Sequence, residues 1–487
     1  MGVAAPSGKR QGGMIRWILS LGAYLKGFAH DLVHGDWFTK LTLLIWGAGY
    51  MRRGQYIKGL LLTALEGVLV WLVGFQLMPY LLKFDTLGTV AQERVWNDAT
   101  GRYDFNQYDN SFLILLFSVI GLFLIVFAVV FCIRNVRQAY EVEQRVKVGK
   151  KINSFRNDIE DVFGKKFHRT LLSLPILGVL TFTIIPLLVT VLVAFTNYDS
   201  GHTVPKNLFT WVGMENFAKV FDLSNNSRFA SAFGQILIWT IVWSFLATFT
   251  CYIGGILLAM FINNKRTIGK KFWRTCFMVA VAVPQFVSLM LIRNFFHDDG
   301  VVNVICRQMG ITKWLFDMGV INKETFIPFL TDVRWVRPMI ILINMWVGVP
   351  FTMLMVSGIL MNIPGELLES AKIDGANAWQ SFKSITMPYI LFITGPYLIN
   401  TLVSNINNFN VIYLLTREVY GTRNMELAAV SASETDLLIT WLYKLTTDQE
   451  SYNMASVIGI IVFLICAAAT LLSFNRMIKG DKEETFQ

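Results

Sequence analysis

The sequence predicts an all-α integral membrane protein with about eight transmembrane helices, and three observations carry that prediction. The chain of 487 residues is 54% hydrophobic and only 16% charged, whereas soluble domains carry about 25% charged residues. Its mean hydropathy is +0.50. Apolar windows near the length a helix needs to cross a bilayer recur along the chain, and Lys and Arg collect beside them in the positive-inside pattern. The net charge of +10 therefore reads as membrane orientation, with no nucleic acid implied. Cys132, Cys251, Cys276 and Cys466 lie in or at the ends of apolar windows and only Cys306 falls in a loop, so the five cysteines suggest no disulfide framework.

Residues 1–56 open with MGVAAPSGKRQGG, a small polar stretch with no cleavage site after it, expected to be a cytoplasmic tail. The stretch from Met14 to Gly59 carries Arg16, Lys26, Lys40, Arg52, Arg53 and Lys58, which breaks any clean span and predicts an interfacial, amphipathic region. Residues 57–133 supply two peripheral spans, Ile57 to Leu82 and Phe112 to Ile133. Glu66 is the one charge embedded in the first, and its role stays open between helix packing and transport. Residues 134–170 form a linker whose part from Arg134 to Arg169 holds ten Lys or Arg against five Asp or Glu, which places it in the cytoplasm. Six further spans follow: Leu171 to Phe195, Phe233 to Ile262, Thr275 to Ile292, Pro338 to Met361, Tyr389 to Thr416 and Met454 to Phe474. Alternation then puts both termini inside, including the 479–487 tail. Pro175, Pro186, Pro284 and Pro396 fall within spans, where kinks facing the bundle interior are expected.

Between the sixth and seventh of these spans stands ESAKIDGANAWQSFKSITMP, Glu369 to Pro388. Helix formers run up to Asp374-Gly375, where Gly allows a left-handed stop, and a second helical run leads to Pro388, suited to start the next helix. Leu367, Leu368 and Ala371, then Ala376, Trp379 and Phe382, give each short helix an apolar side that the loop alone does not bury. No G-x-x-x-x-G-K-[ST] occurs, so a phosphate cradle must come from another polypeptide. Of the five histidines only His30 and His34 stand i, i+4, without a third metal ligand. No metal site and no catalytic constellation is predicted.

The seventh span is polar at its middle. At 100° per residue, Thr401, Asn405 and Asn408 form one narrow stripe, with Tyr397 and Ser404 on its shoulder. Two readings stand: hydrogen bonding between helices, or a hydrated cavity for a polar ligand such as a sugar, whose C–H face would pack on Phe351 or Tyr397.

The motif ESAKIDGANAWQSFKSITMP resembles the coupling loop of permease subunits in binding-protein-dependent ABC importers. NINNF, at 405–409, and TDLLITWLYKL, at 435–445, are similar to the maltose-type class. The resemblance implies a six-helix permease core over 171–478, with the coupling loop at 362–388. Its ATPase-coupling positions would be Glu369, Ser370, Ala371, Asp374, Gly375, Ala376, Phe382 and Pro388. It also implies a substrate site at Val347, Gly348, Phe351, Thr401, Ser404, Asn405, Asn408 and Asn410, with Ser288 as an addition. The expected function is import of an oligosaccharide, maltose or maltodextrin first, with galacto-, raffinose-type or multiple-sugar cargo as the alternative. The expected partners are a second homologous permease, two ATPase subunits, an extracytoplasmic sugar-binding protein and the bilayer of a bacterial inner membrane. ATP and Mg would be held by the ATPase, leaving no cofactor on this chain. An ion-coupled carrier is disfavoured because the six core spans hold no charged residue.

Overall fold

Prolines set the local shape of the membrane helices. The computed structural model describes residues 13–222 and 228–484. The expected tail at 1–12 and the last three residues of the 479–487 tail lie outside them. Three π-helical turns occur among the described residues, Leu72–Leu77, Leu180–Ile184 and Phe382–Thr386. Each ends two residues before a proline, at Pro79, Pro186 and Pro388. A proline ring clashes with the carbonyl one turn back and offers that turn no N–H, and a widened turn relieves both.

Seven helical stretches among the described residues are long and apolar enough to cross a membrane. The expected span from Thr275 to Ile292 is instead two shorter helices, Lys270–Ala282 and Gln285–Phe295. The break falls at Val283, which is extended (φ −76°, ψ 130°), as the residue before a proline tends to be.

The chain divides into two compact units. One holds the chain up to Leu192 with Gly201–Trp211, and the other holds Val193–Ser200 and everything from Val212. The helix starting at Phe167 thus groups with the first unit, although the core was expected from residue 171. Its first turn is tied there by the Thr170 hydroxyl, which donates to the carbonyl of Val162 at 2.9 Å.

In the first unit, the 37-residue helix Ser111–Lys147 is about 55 Å long at 1.5 Å per residue. That exceeds a hydrocarbon core of about 30 Å, so its basic end projects, and the N-terminal segment packs on it. The Tyr50 hydroxyl donates to the carbonyl of Asn135 at 3.2 Å, and the Asn135 amide donates to the carbonyl of Trp46 at 2.8 Å. Arg53 lies buried between Asp36 (2.9 Å) and Glu143 (3.3 Å). Arg53, counted among the cations of the expected interfacial segment over 14–59, is thus an internal partner for carboxylates. Glu66 also finds an internal partner, accepting the Trp46 N–H at 2.8 Å.

Outside the first two spans, Arg94–Asn97 and Arg102–Phe105 pair as an antiparallel hairpin. Asp109 anchors the loop, taking the Lys83 ammonium at 2.6 Å and the N–H groups of Thr89 and Val90. Burial disfavours its charge, but these donors outweigh burial and hold its pKa below the usual carboxylate value. That anchoring is complete above the ordinary carboxylate pKa and is lost as pH falls through the lowered one.

The second unit is built around the 36-residue helix Arg228–Asn263. Its buried residues include Trp239, Trp243, Ala247, Cys251, Gly255, Ala259 and Ile262, spaced three or four apart as one packed face requires. Small residues let the helix Val333–Asn362 approach closely. A Cβ on Gly255 would meet Thr352 Cβ at 2.5 Å, and one on Gly348 would meet Cys251 Sγ at 2.7 Å.

Candidate coupling loop and polar transport surface

The helix Gly365–Ile373 stops at Asp374-Gly375, where Gly375 has φ 77°. The N–H of Ala376 donates to the carbonyl of Ala371 at 2.9 Å and that of Gly375 to Lys372 at 3.1 Å, closing a left-handed helix end that favours glycine. Asn377 caps the next helix. Its side chain accepts the Gln380 N–H at 2.9 Å while the Gln380 side chain accepts the Asn377 N–H at 2.8 Å, a reciprocal cap that the sequence reading missed. Pro388 does not begin a new helix. Ala378–Ser381 runs through the π turn Phe382–Thr386 directly into Met387–Ile406.

The loop leaves its apolar side uncovered. Leu367, Ile373 and Trp379 are exposed, and the Trp379 and Phe382 rings lie 5.5 Å apart. Glu369, Ser370 and Asp374 are exposed beside them, with Ala371 and Ala376 half-buried.

The polar stripe differs from the expectation. The helix ends at Ile406, and Asn408 is the N-cap of the next helix, Phe409–Thr416, so a 100° step does not carry from Asn405 to Asn408. Asn405 is buried, donates to Thr248 Oγ1 at 2.9 Å and accepts from the Asn408 amide at 3.1 Å. Its carbonyl takes the Trp243 indole N–H at 3.2 Å. Asn408 also accepts the N–H of Val411. Asn405 holds the helix break against the Arg228–Asn263 helix, and the half-buried Asn408 is spent on Asn405 and on capping. The Thr401 hydroxyl, half-buried, turns back to the carbonyl of Tyr397 at 2.8 Å.

What does face outward lies one step round the helix. The Phe351 and Tyr397 rings stand 5.9 Å apart, with Phe351 half exposed and the Tyr397 hydroxyl 3.3 Å from Thr352 Oγ1. Ser404 and Asn410 are exposed, as is Asn400, which the sequence reading passed over although it stands beside Thr401. Val347 and Gly348 are half-buried, and Gly348 is glycine because Cys251 Sγ fills the space a side chain would take. Ser288 is not brought to this surface. It lines an apolar groove of about 1020 Å³ with Trp273, Phe295 and Trp346. A buried amide also missed, Asn344, donates to Cys251 Sγ at 3.3 Å, next to Gly348. Among the described residues no group of three or more His, Cys, Asp or Glu could hold a metal ion.

Similarity to known proteins bears on this arrangement. Residues 251–478 match the family model of the binding-protein-dependent transport system inner membrane component. A maltodextrin transport system permease of Bacillus subtilis strain 168 is 33% identical over 461 residues, covering 93% of this chain and 99% of that protein. The chain belongs to this family of inner-membrane transport components. A maltodextrin transport system permease of Streptococcus pneumoniae serotype 4 is 32% identical, over 91% of this chain and 96% of that one. A galactooligosaccharides transport system permease of Bacillus subtilis is 30% identical over 91% and 98%. In fold, the chain resembles a crystal structure of a bacterial ABC transporter involved in alginate import, with TM-score 0.52 and 23% identity over 66% of this chain and 98% of that one. As a member of the family, this chain is a multi-pass permease subunit of an ABC importer, a transport component rather than an enzyme.

Replacing Asn405 with Leu is expected to weaken the bundle as well as transport. It strands Thr248 and Asn408, and a buried unsatisfied polar group costs about 1–3 kcal/mol. The detergent melting temperature of the purified subunit should fall alongside uptake, whereas Ser404→Ala should lower uptake and leave melting unchanged.

Proposed function

We propose that the cargo is an oligosaccharide, a maltodextrin first, and that it passes along the surface formed by Phe351, Tyr397, Asn400, Ser404 and Asn410. The observation that carries this reading is the half-exposed Phe351 ring paired with Tyr397 beside exposed hydroxyl and amide groups. A pyranose stacks its C–H face on such rings and needs paired donors and acceptors for its hydroxyls. Val347, Gly348 and Thr401 form the half-buried floor of this surface. Asn405 and Asn408 brace it from behind, and Ser288 has no part in it. The names of the two maltodextrin permeases support the same cargo. The galactooligosaccharides permease favours the second reading, a galacto-oligosaccharide on the same surface.

The uncovered side of the coupling loop fits a cleft on an ATPase subunit, with Glu369, Ser370, Ala371, Asp374, Gly375, Ala376, Phe382 and Pro388 shaping or supporting the contact. Two such ATPases would hold ATP and Mg, a second homologous permease would complete the pathway, and an extracytoplasmic binding protein would deliver the sugar. The basic 134–170 stretch and the cations Lys265, Arg266, Lys270, Lys271 and Arg274 support a bacterial cell membrane location with both termini inside.

Membrane vesicles carrying the assembled importer test this. Uptake of labelled maltodextrin is expected to require ATP on the ATPase side and to persist when proton and sodium gradients are collapsed. Uptake that disappears with a gradient while ATP is plentiful would overturn the ABC mechanism. Preference for galacto-oligosaccharides over maltodextrin in competition would transfer the cargo to the second reading.

A further inference from the structure

The short helix Phe155–Phe163 is amphipathic, and it faces the wrong way for a helix packed on its own protein. Phe155, Ile159, Val162 and Phe163 fall on one face at i, i+4, i+7 and i+8, an apolar stripe about 100° wide. That stripe is exposed: no residue of the helix is buried, and Phe163 is 70% open. The acidic side turns inward instead. Asp158 is half-buried and takes Lys58 Nζ at 3.2 Å, and Asp161 is half-buried with Lys165 at 3.9 Å. Two acids are thus half-buried while the whole apolar stripe is wet, and Arg156 and Glu160 stand exposed on the remaining side.

The helix is held at the edge of membrane-crossing segments on both sides. Lys58, which grips Asp158, belongs to the first turn of the span Tyr56–Leu81, and the Gln55 side chain donates to the carbonyl of Asn153 at 2.7 Å. At the other end the span Phe167–Val193 starts four residues after Phe163, and its Thr170 bonds the carbonyl of Val162 at 2.9 Å. Exposed cations flank the stripe at Lys150, Lys151, Lys165, Lys166 and Arg169. An apolar face at the border of two spans, rimmed by lysines, matches a bilayer surface bearing anionic headgroups: acyl chains take the rings, and the lysines are drawn to the phosphates.

We propose that Phe155–Phe163 lies in the plane of the membrane as a binding site for anionic phospholipid, with its aromatic stripe seated among the acyl chains and its lysines on the phosphates. This is independent of which sugar the protein carries. The bilayer, rather than a second protein, is the occupant because the stripe ends one short turn before the membrane-crossing helix that starts at Phe167.

The full chain in nanodiscs tests it. In a cysteine-free background that still supports uptake, Phe155→Cys, Ile159→Cys, Glu160→Cys and Phe163→Cys are labelled one at a time with a nitroxide, and relaxation by oxygen and by a water-soluble nickel chelate is compared. The expected result is a shift toward oxygen at 155, 159 and 163 and toward nickel at 160. Nickel access at all four positions would overturn the proposal, and shielding from both probes would overturn it in favour of a protein partner. With the unmodified chain, amide exchange across 150–169 should be several-fold slower in phosphatidylglycerol than in phosphatidylcholine nanodiscs. Equal exchange in the two lipids would overturn the anionic specificity.

Discussion

Replacing Gly375 with proline is expected to cut sugar uptake sharply while leaving the subunit inserted and assembled. Gly375 sits at φ 77° and donates its N–H to Lys372 at 3.1 Å. Proline fixes φ near −65° and has no N–H, so the turn must rebuild at a cost of about 3 kcal/mol or more. Nothing lies within 4 Å of a Cβ at this position, so the damage is to backbone shape and stays local to an exposed loop. The uncovered Leu367, Ile373 and Trp379 would then present a different outline to the ATPase. Since 1.4 kcal/mol corresponds to tenfold, uptake in proteoliposomes should fall by about a hundredfold, and ATPase activity should no longer respond to the binding protein. Gly375→Ala, an L-residue in the left-handed region, should lose about 1–2 kcal/mol and fall between wild type and proline. Unchanged uptake and stimulation in the proline variant would remove the loop from the coupling pathway.

Arg53→Ala should be the most destabilising single change in the first unit. The guanidinium donates to the carbonyls of Gly49 and Ala139, to Asp36, to Thr39 Oγ1 and to Glu143. Its side chain is 5% exposed and that of Glu143 3%, so its removal leaves that buried carboxylate with Lys147, at 2.6 Å, as its remaining cation. Breaking one partner of a buried pair costs about 3–5 kcal/mol. Glu143→Leu in the same background should recover part of that loss, because the buried carboxylate left by Arg53 is then gone, and melting of the single and double variants measures the coupling. Additive losses would show that the two residues do not act on each other. The network also includes Asp36. Burial opposes its charge, but the Thr39 N–H and Arg53 outweigh burial and hold its pKa below the usual value. Its contribution is present above the ordinary carboxylate pKa and fades as pH falls through the lowered one.

The membrane class, seven of the eight expected spans and the glycine turn of the coupling loop were legible because each depends on residues close in sequence. Hydropathy over about 20 residues finds a span, and Asp374-Gly375 signals a left-handed stop. Long-range pairing was not legible. Arg53 reads as an interfacial cation until Glu143, 90 positions away, is seen to hold it. Likewise Asn405 stays open between an interhelical bond and a cavity until Thr248, 157 positions away, is seen to take its amide. The helix end at Ile406 was missed because the side chain of Asn408 caps a new helix by accepting the Val411 N–H, a local competition that a 100° wheel ignores. Asn400 was not legible because it stands off the Thr401–Asn405 stripe, and only its exposure distinguishes it.

The uninterrupted helical path from Ala378 to Ile406, pinned at its far end by Asn405 on Thr248 and Trp243, makes the coupling loop one end of a lever. Its inner arm of 29 residues is about 43 Å long and the outer piece Phe409–Thr416 about 12 Å. With the fulcrum at the helix break, a tilt of about 5° would carry the loop end through roughly 4 Å and the outer end through about 1 Å. The stroke of the ATPases would thus be geared down across the bilayer, so that a large displacement at the nucleotide side becomes a fine adjustment at the sugar's point of entry.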